Sequence, residues 1–264
     1  LAEPASMRGS EAVAKVYPDG AEDEGHTFSG IVTSAVRRID GKGRPYLELW
    51  ASPPLFKLTK RTNLRTFLEQ TAPDILKKVF EEAGVTHASQ LGESYEARVN
   101  ILQYRETDFD FLRRLAAEEG IGFVWDHEAG ELVLFDDPAG IGAQATESLP
   151  YVAEFGFDQS FACVMQVRRE HRVVSDKVHL RQGTDDGEHA PEVYAHPGRS
   201  VKQGEIDRFA QVTLDAIQAR RDVVVGATTA WQMVPGKRFK IEDHPYALLN
   251  TELLVTRVEL TYED

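Results

Sequence analysis

The run Leu102-Gln103-Tyr104-Arg105-Glu106-Thr107-Asp108-Phe109-Asp110-Phe111-Leu112-Arg113-Arg114-Leu115, continuing into Glu118-Glu119-Gly120-Ile121, decides how this chain reads. A strand is predicted from Arg98 to Tyr104. Thr107 then stands three residues before Asp110, where a hydroxyl can serve the free amides of a helix start. Asp108 and Asp110 place negative charge at the positive end of the helix dipole. Phe111, Leu112 and Leu115 supply a buried face, and Gly120 is a natural stop. Ile121 to Trp125 and Glu131 to Phe135 read as a hairpin around the turn Asp126-His127-Glu128-Ala129-Gly130. The aromatics Tyr104, Phe109, Phe111, Phe123 and Trp125 are expected to pack beneath the helix.

Upstream, Thr71-Ala72-Pro73-Asp74 has the same capping form, with Ile75, Leu76, Val79, Phe80 and Ala83 as an apolar stripe and Gly84 as the stop. The first sixty residues read as β-structure. A strand is predicted from His26 to Ile39, then the turn Asp40-Gly41-Lys42-Gly43, then a strand from Tyr46 to Ala51 closed by Ser52-Pro53-Pro54. The segments Tyr17-Pro18-Asp19-Gly20 and Glu22-Asp23-Glu24-Gly25 have loop chemistry. The densest basic stretch, Lys57, Lys60, Arg61 and Arg65, is expected to be a solvated loop, with a docking patch for an acidic partner as the alternative.

Downstream of Tyr151 the chain turns β-rich again. Strands are predicted near Val164 to Val174 and Lys177 to Arg181, followed by a loop-rich stretch from Gln182 to Ser200. A helix is expected over about Glu205 to Arg221, with the stripe Ile206, Phe209, Thr213, Ala216 and Ile217. Asp222 to Thr229, Arg238 to Ile241 and Leu253 to Tyr262 complete the set, with a turn at Pro235-Gly236. The segments from Phe28 to Val36 and from Thr251 to Glu259 echo each other weakly through a shared Val-Thr. Their positions on either side of the helical block suggest duplicated β-domains.

Composition narrows the function. The chain has 264 residues, 42% hydrophobic and 28% charged, which indicates a globular protein of roughly two domains. No apolar run reaches the length of a membrane-spanning helix. Thirty basic and 43 acidic residues leave a net charge of −13, unfavourable for neutralising nucleic-acid phosphates. Cys163 is the single cysteine; it cannot form an internal disulfide and reads as a small buried hydrophobe. His127-Glu128 is the nearest approach to a zinc-protease motif and lacks a second histidine four residues on. The histidines His26, His87, His127, His171, His179, His189, His196 and His244 offer no helical metal pair. No nucleophile elbow or phosphate-binding glycine loop is present. Residue types alone therefore nominate no catalytic, cofactor-binding or metal-binding residue.

Longer motifs carry a resemblance. Phe67-Leu68-Glu69-Gln70-Thr71-Ala72-Pro73-Asp74-Ile75 with Val79-Phe80-Glu81-Glu82-Ala83-Gly84, and the stretch from Leu102 to Ile121, resemble the hub region of the VgrG spike proteins of type VI secretion. Further matches are Gly30-Ile31-Val32-Thr33, His196-Pro197-Gly198-Arg199, Pro235-Gly236-Lys237-Arg238-Phe239 and the run from Leu249 to Thr256. They follow the family's order across nearly the whole chain, and the family is related to the hubs of contractile phage tails.

The resemblance implies an α+β, phage-tail-hub-like fold in which two related barrel-like β-domains flank a helix–strand–helix–hairpin block. The expected divisions are residues 1–60, 61–148 and 149–264, the last with an inserted helix at about 205–221. It further implies a homotrimer that caps an Hcp-type tube ring and joins baseplate proteins, a C-terminal spike needle and effectors. Such a protein is assembled in the bacterial cytoplasm and delivered outside the cell or into a target cell on contraction. A prophage contractile-tail hub shares these motifs, and a tail-associated cell-wall hydrolase is the enzymatic alternative. The resemblance transfers no catalytic or metal-binding residue and no cofactor. Family members carry β-structure before the match to Leu1 and a small barrel and needle after the match to Leu254, so a hub fragment or a divergent protein is expected.

Overall fold

The computed structural model describes residues 3–17, 25–137, 147–153, 161–180, 192–195 and 203–261. They form two compact units, Leu1–Ala116 with Ile121–Asp136, and Ala117–Gly120 with Asp137–Asp264.

The first unit begins with a short helix, α1 (Pro4–Met7), and a three-stranded antiparallel sheet in the order β1 (Glu11–Val16), β2 (His26–Ile39), β3 (Pro45–Ser52). The strand β2 has the predicted bounds. After it, the Asp40 carboxylate accepts from the amides of Lys42 and Arg44 at 2.9 and 2.8 Å and fixes the turn. Lys57 and Lys60 do not lie in the expected loop. They belong to a 3-10 helix, Pro54–Lys60, anchored by the buried Leu55 and Leu58. Arg65 lies in β4 (Thr62–Gln70), which pairs antiparallel with β6 (Arg98–Thr107).

Two consecutive strand–helix–strand units follow one plan. The first is β4, α2 (Ala72–Glu82) and β5 (His87–Gln90); the second is β6, α3 (Asp108–Glu119) and β7 (Gly122–Asp126). At each helix start a threonine hydroxyl accepts from the third-residue amide, Asp74 N–H to Thr71 Oγ1 at 3.3 Å and Asp110 N–H to Thr107 Oγ1 at 3.0 Å. Each hydroxyl also donates to that aspartate's carboxylate, at 2.6 Å in both cases. Both helices end on a glycine with positive φ, +66° at Gly84 and +71° at Gly120. The next amide then reaches back across the last turn, Val85 to Phe80 O and Ile121 to Ala116 O, both at 2.9 Å. Val85 and Ile121 are buried, so each cap is also pinned by an apolar contact with the core.

The buried faces of α2 and α3 meet in one cluster that includes Phe67, Ile75, Leu76, Phe80, Phe111, Leu112 and Leu115. Phe67 and Phe111 stack with centroids 5.5 Å apart. Burying each such side chain is worth about 1.5–3 kcal/mol. The strand β8 (Glu131–Phe135) closes this core, antiparallel to β7 and parallel to β5, in the order β5-β8-β7.

The second unit carries β9 (Glu147–Pro150), β10 (Val164–His171), β11 (Lys177–Leu180), β12 (Glu192–Ala195), α4 (Gln203–Gln218), β13 (Asp222–Thr228), β14 (Arg238–Glu242) and β15 (Glu252–Leu254). β10 pairs antiparallel with β13, β11 runs parallel to β12, and β14 lies between β15 and β9. Leu149, Val164, Ala230, Met233, Ile241 and Val255 form its core. On α4, Ile206 and Phe209 are the buried members of the expected stripe, while the Thr213 hydroxyl donates to Phe209 O at 2.8 Å.

Two strand ends fall short of expectation. β10 stops at His171, and Val173 is fully exposed. The final strand ends at Leu254, with one further rung where the Val255 amide donates to Lys237 O at 2.9 Å. Past that rung no described strand lies alongside, and an unpaired extended segment has no ladder to join. Most of the predicted loop Gln182–Ser200 lies outside the described residues; β12 is the part of it that is described.

Candidate assembly surfaces

Among the described residues, His127, Cys163 and His244 are engaged in structural contacts. The Ser29 amide donates to His127 Nδ1 at 3.0 Å, the Ser29 hydroxyl donates to His127 O at 2.8 Å, and Trp125 Nε1 donates to Ser29 Oγ at 3.2 Å. His127 therefore ties the β7–β8 turn to β2, and its ring meets Phe28 edge-on at 5.6 Å. Cys163 is fully buried, with its amide donating to Thr229 Oγ1 at 3.0 Å and its carbonyl accepting from Thr228 Oγ1 at 2.8 Å. The buried His244 packs against Tyr151 with centroids 4.2 Å apart, and its Nδ1 accepts the Tyr246 amide at 3.0 Å. His189 and His196 lie outside the described residues. Among the described residues no group of three or more His, Cys, Asp or Glu side chains is placed to hold a metal ion.

Perturbed carboxylates also have structural partners. Burial pushes the Asp136 carboxyl up, but the amides of Glu93 and Gly92 and the Tyr95 hydroxyl outweigh it and hold the group below the usual carboxylate range. Those donors lie at 2.8 to 3.0 Å, so Asp136 fastens the 92–95 loop. Hydrogen bonding from Arg169 holds Asp222 low in the same way.

The motif that opened the sequence reading hides a buried polar knot. Asp108 is fully buried, and its Oδ1 accepts from Asn63 Nδ2 and Arg65 Nη2, both at 2.8 Å, and from Gln103 Nε2 at 2.9 Å. Arg61 Nε lies 3.1 Å from Oδ2, an ion-pair contact outside hydrogen-bond geometry. Arg65 also donates to Gln103 Oε1 at 2.8 Å and to Glu82 Oε2 at 2.6 Å. Asp108 is thus more than a dipole partner for α3. It joins the start of that helix to β4 and β6, and Arg65 carries the link on to the end of α2. The signal in the sequence was Gln103, a fully buried polar residue at a core position of β6.

The surface of the first unit also exposes large apolar side chains. On the outer face of β4 and β6, Leu64 stands opposite Tyr104, Thr66 opposite Leu102 and Leu68 opposite Asn100. Leu64, Leu68, Leu102 and Tyr104 are all exposed, while Phe67 and Ile101 on the reverse face are buried. The outer halves of β2 and β3 expose Val36, Ile39, Tyr46, Leu49 and Trp50. No helix of the described residues is long and apolar enough to cross a membrane.

Comparison with known proteins agrees with an assembly role. Residues 2–264 match the phage tail baseplate hub (GPD) family. The type VI secretion system spike protein VgrG4b of Pseudomonas aeruginosa is 29% identical over 258 residues, covering 89% of this chain and 32% of that protein. The actin cross-linking toxin VgrG1 of Vibrio cholerae is 29% identical over 251 residues, covering 87% of this chain and 23% of the toxin. The chain thus spans a third or less of the length of these relatives. Among solved structures, the Escherichia coli c3393 protein, a component of the type VI secretion system, has the same fold with a TM-score of 0.70 at 18% identity. That match covers 97% of this chain and 61% of c3393. A tail protein from Neisseria meningitidis gives a TM-score of 0.64 at 16% identity, covering 89% of this chain and 74% of that one. An α+β chain with a phage-tail-hub-like fold, similar along most of its length to VgrG spike proteins, this protein belongs to the phage tail baseplate hub (GPD) family.

Proposed function

We infer that this chain is the hub portion of a VgrG-type spike of type VI secretion, working as a homotrimer that caps an Hcp-type tube ring. The observation that carries this reading is the family match over residues 2–264 together with the VgrG relatives that align with nearly nine-tenths of the chain. In this role the three-stranded sheet before residue 61 and the sheets after residue 148 supply two barrel-like β-domains per chain. Three chains then offer six similar units to a sixfold ring. The spike is assembled in the cytoplasm with baseplate proteins, carries its needle and effectors beyond the hub, and leaves the cell on contraction. The hub itself performs no reaction; its work is shape and adhesion. The fold shared with the Neisseria tail protein keeps a prophage tail hub as the second reading.

Two measurements test this. Light scattering on the full-length protein is expected to give a trimer mass, and a stable dimer or a monomer overturns the reading. Purified trimer is expected to retain the tube-ring protein encoded beside its gene, and a neighbouring operon for a phage tail in place of one for secretion selects the second reading.

A further inference from the structure

We draw no further inference here: the strongest candidate, the apolar surface patch on the outer face of β4 and β6 where Leu64, Leu68, Leu102 and Tyr104 are exposed, carries nothing because nothing in the structure shows what covers it.

Discussion

Glu69 and Arg105 hold the same left-handed backbone, φ +52° and +51°, each two residues before the threonine that caps the helix after its strand. Neither is glycine, asparagine or aspartate, so each accepts a conformation that is unfavourable by about 1 kcal/mol. The turn re-aims the chain from β4 into α2 and from β6 into α3. Glu69→Gly and Arg105→Gly are therefore expected to lie within about 0.5 kcal/mol of wild type, relief of strain offsetting the added freedom of the unfolded chain. Glu69→Val is expected to lose more than about 1 kcal/mol, because a β-branched side chain is least compatible with positive φ. Urea unfolding of the three variants measures this, and a Glu69→Val protein as stable as wild type would remove strain from the account.

Thr107→Ala should lower stability by about 1 kcal/mol, the usual worth of an N-cap hydroxyl. Thr71→Ala should match it, because both threonines make the same pair of bonds to the third-residue aspartate. Amide exchange in the first turns of α2 and α3 reports the loss directly, with the Asp74 and Asp110 amides losing protection first.

Asp108→Ala should be far more damaging, about 3 kcal/mol or more, since it strands Arg65, Asn63 and Gln103 around an empty acceptor. Asp108 and Thr107 are neighbours, yet the expected effects differ about threefold. A global unfolding free energy for Asp108→Ala close to that of Thr107→Ala would show the knot to be dispensable.

The bonds to Asp136 make the 92–95 loop sensitive to acid. Its carboxyl is held below the ordinary value, so the unfolded chain takes up its proton first as pH falls. The stabilisation is fully present above the unfolded value of about 3.9 and is lost as pH drops through the lower folded value. Protection of the Gly92 and Glu93 amides against exchange is expected to exceed that in Asp136→Asn at neutral pH. The gap should narrow progressively as pH falls below about 4, and a gap that does not narrow with acid contradicts the assignment.

The helices were legible because their signals are local. Thr71 with Asp74 and Thr107 with Asp110 mark the starts, Gly84 and Gly120 mark the stops, and the stripes between them turn to a single core. The strand β2 was legible to the residue, since a long β-rich run ended in a turn whose Asp40 organises itself. β4 was not. It points Arg65 inward and Leu64 and Leu68 outward, the reverse of the rule that strand periodicity relies on.

That inversion separates what sequence determined from what tertiary structure decided. Capping, helical periodicity and turn chemistry act between residues a few positions apart, so Thr107, Gly120 and Asp40 announce their roles in the primary sequence. Whether an apolar strand residue is core or docking surface depends on what lies against it, and Leu102 and Ile101 read alike until β4 and β6 are paired over the helices. Asp108 reads in sequence as a dipole-compensating charge at a helix start, like the exposed Asp110. Only the approach of Asn63 and Arg65 from the distant strand β4, joining Gln103 of the adjacent β6, made it a buried acceptor, because a carboxylate can be taken from water when enough donors surround it.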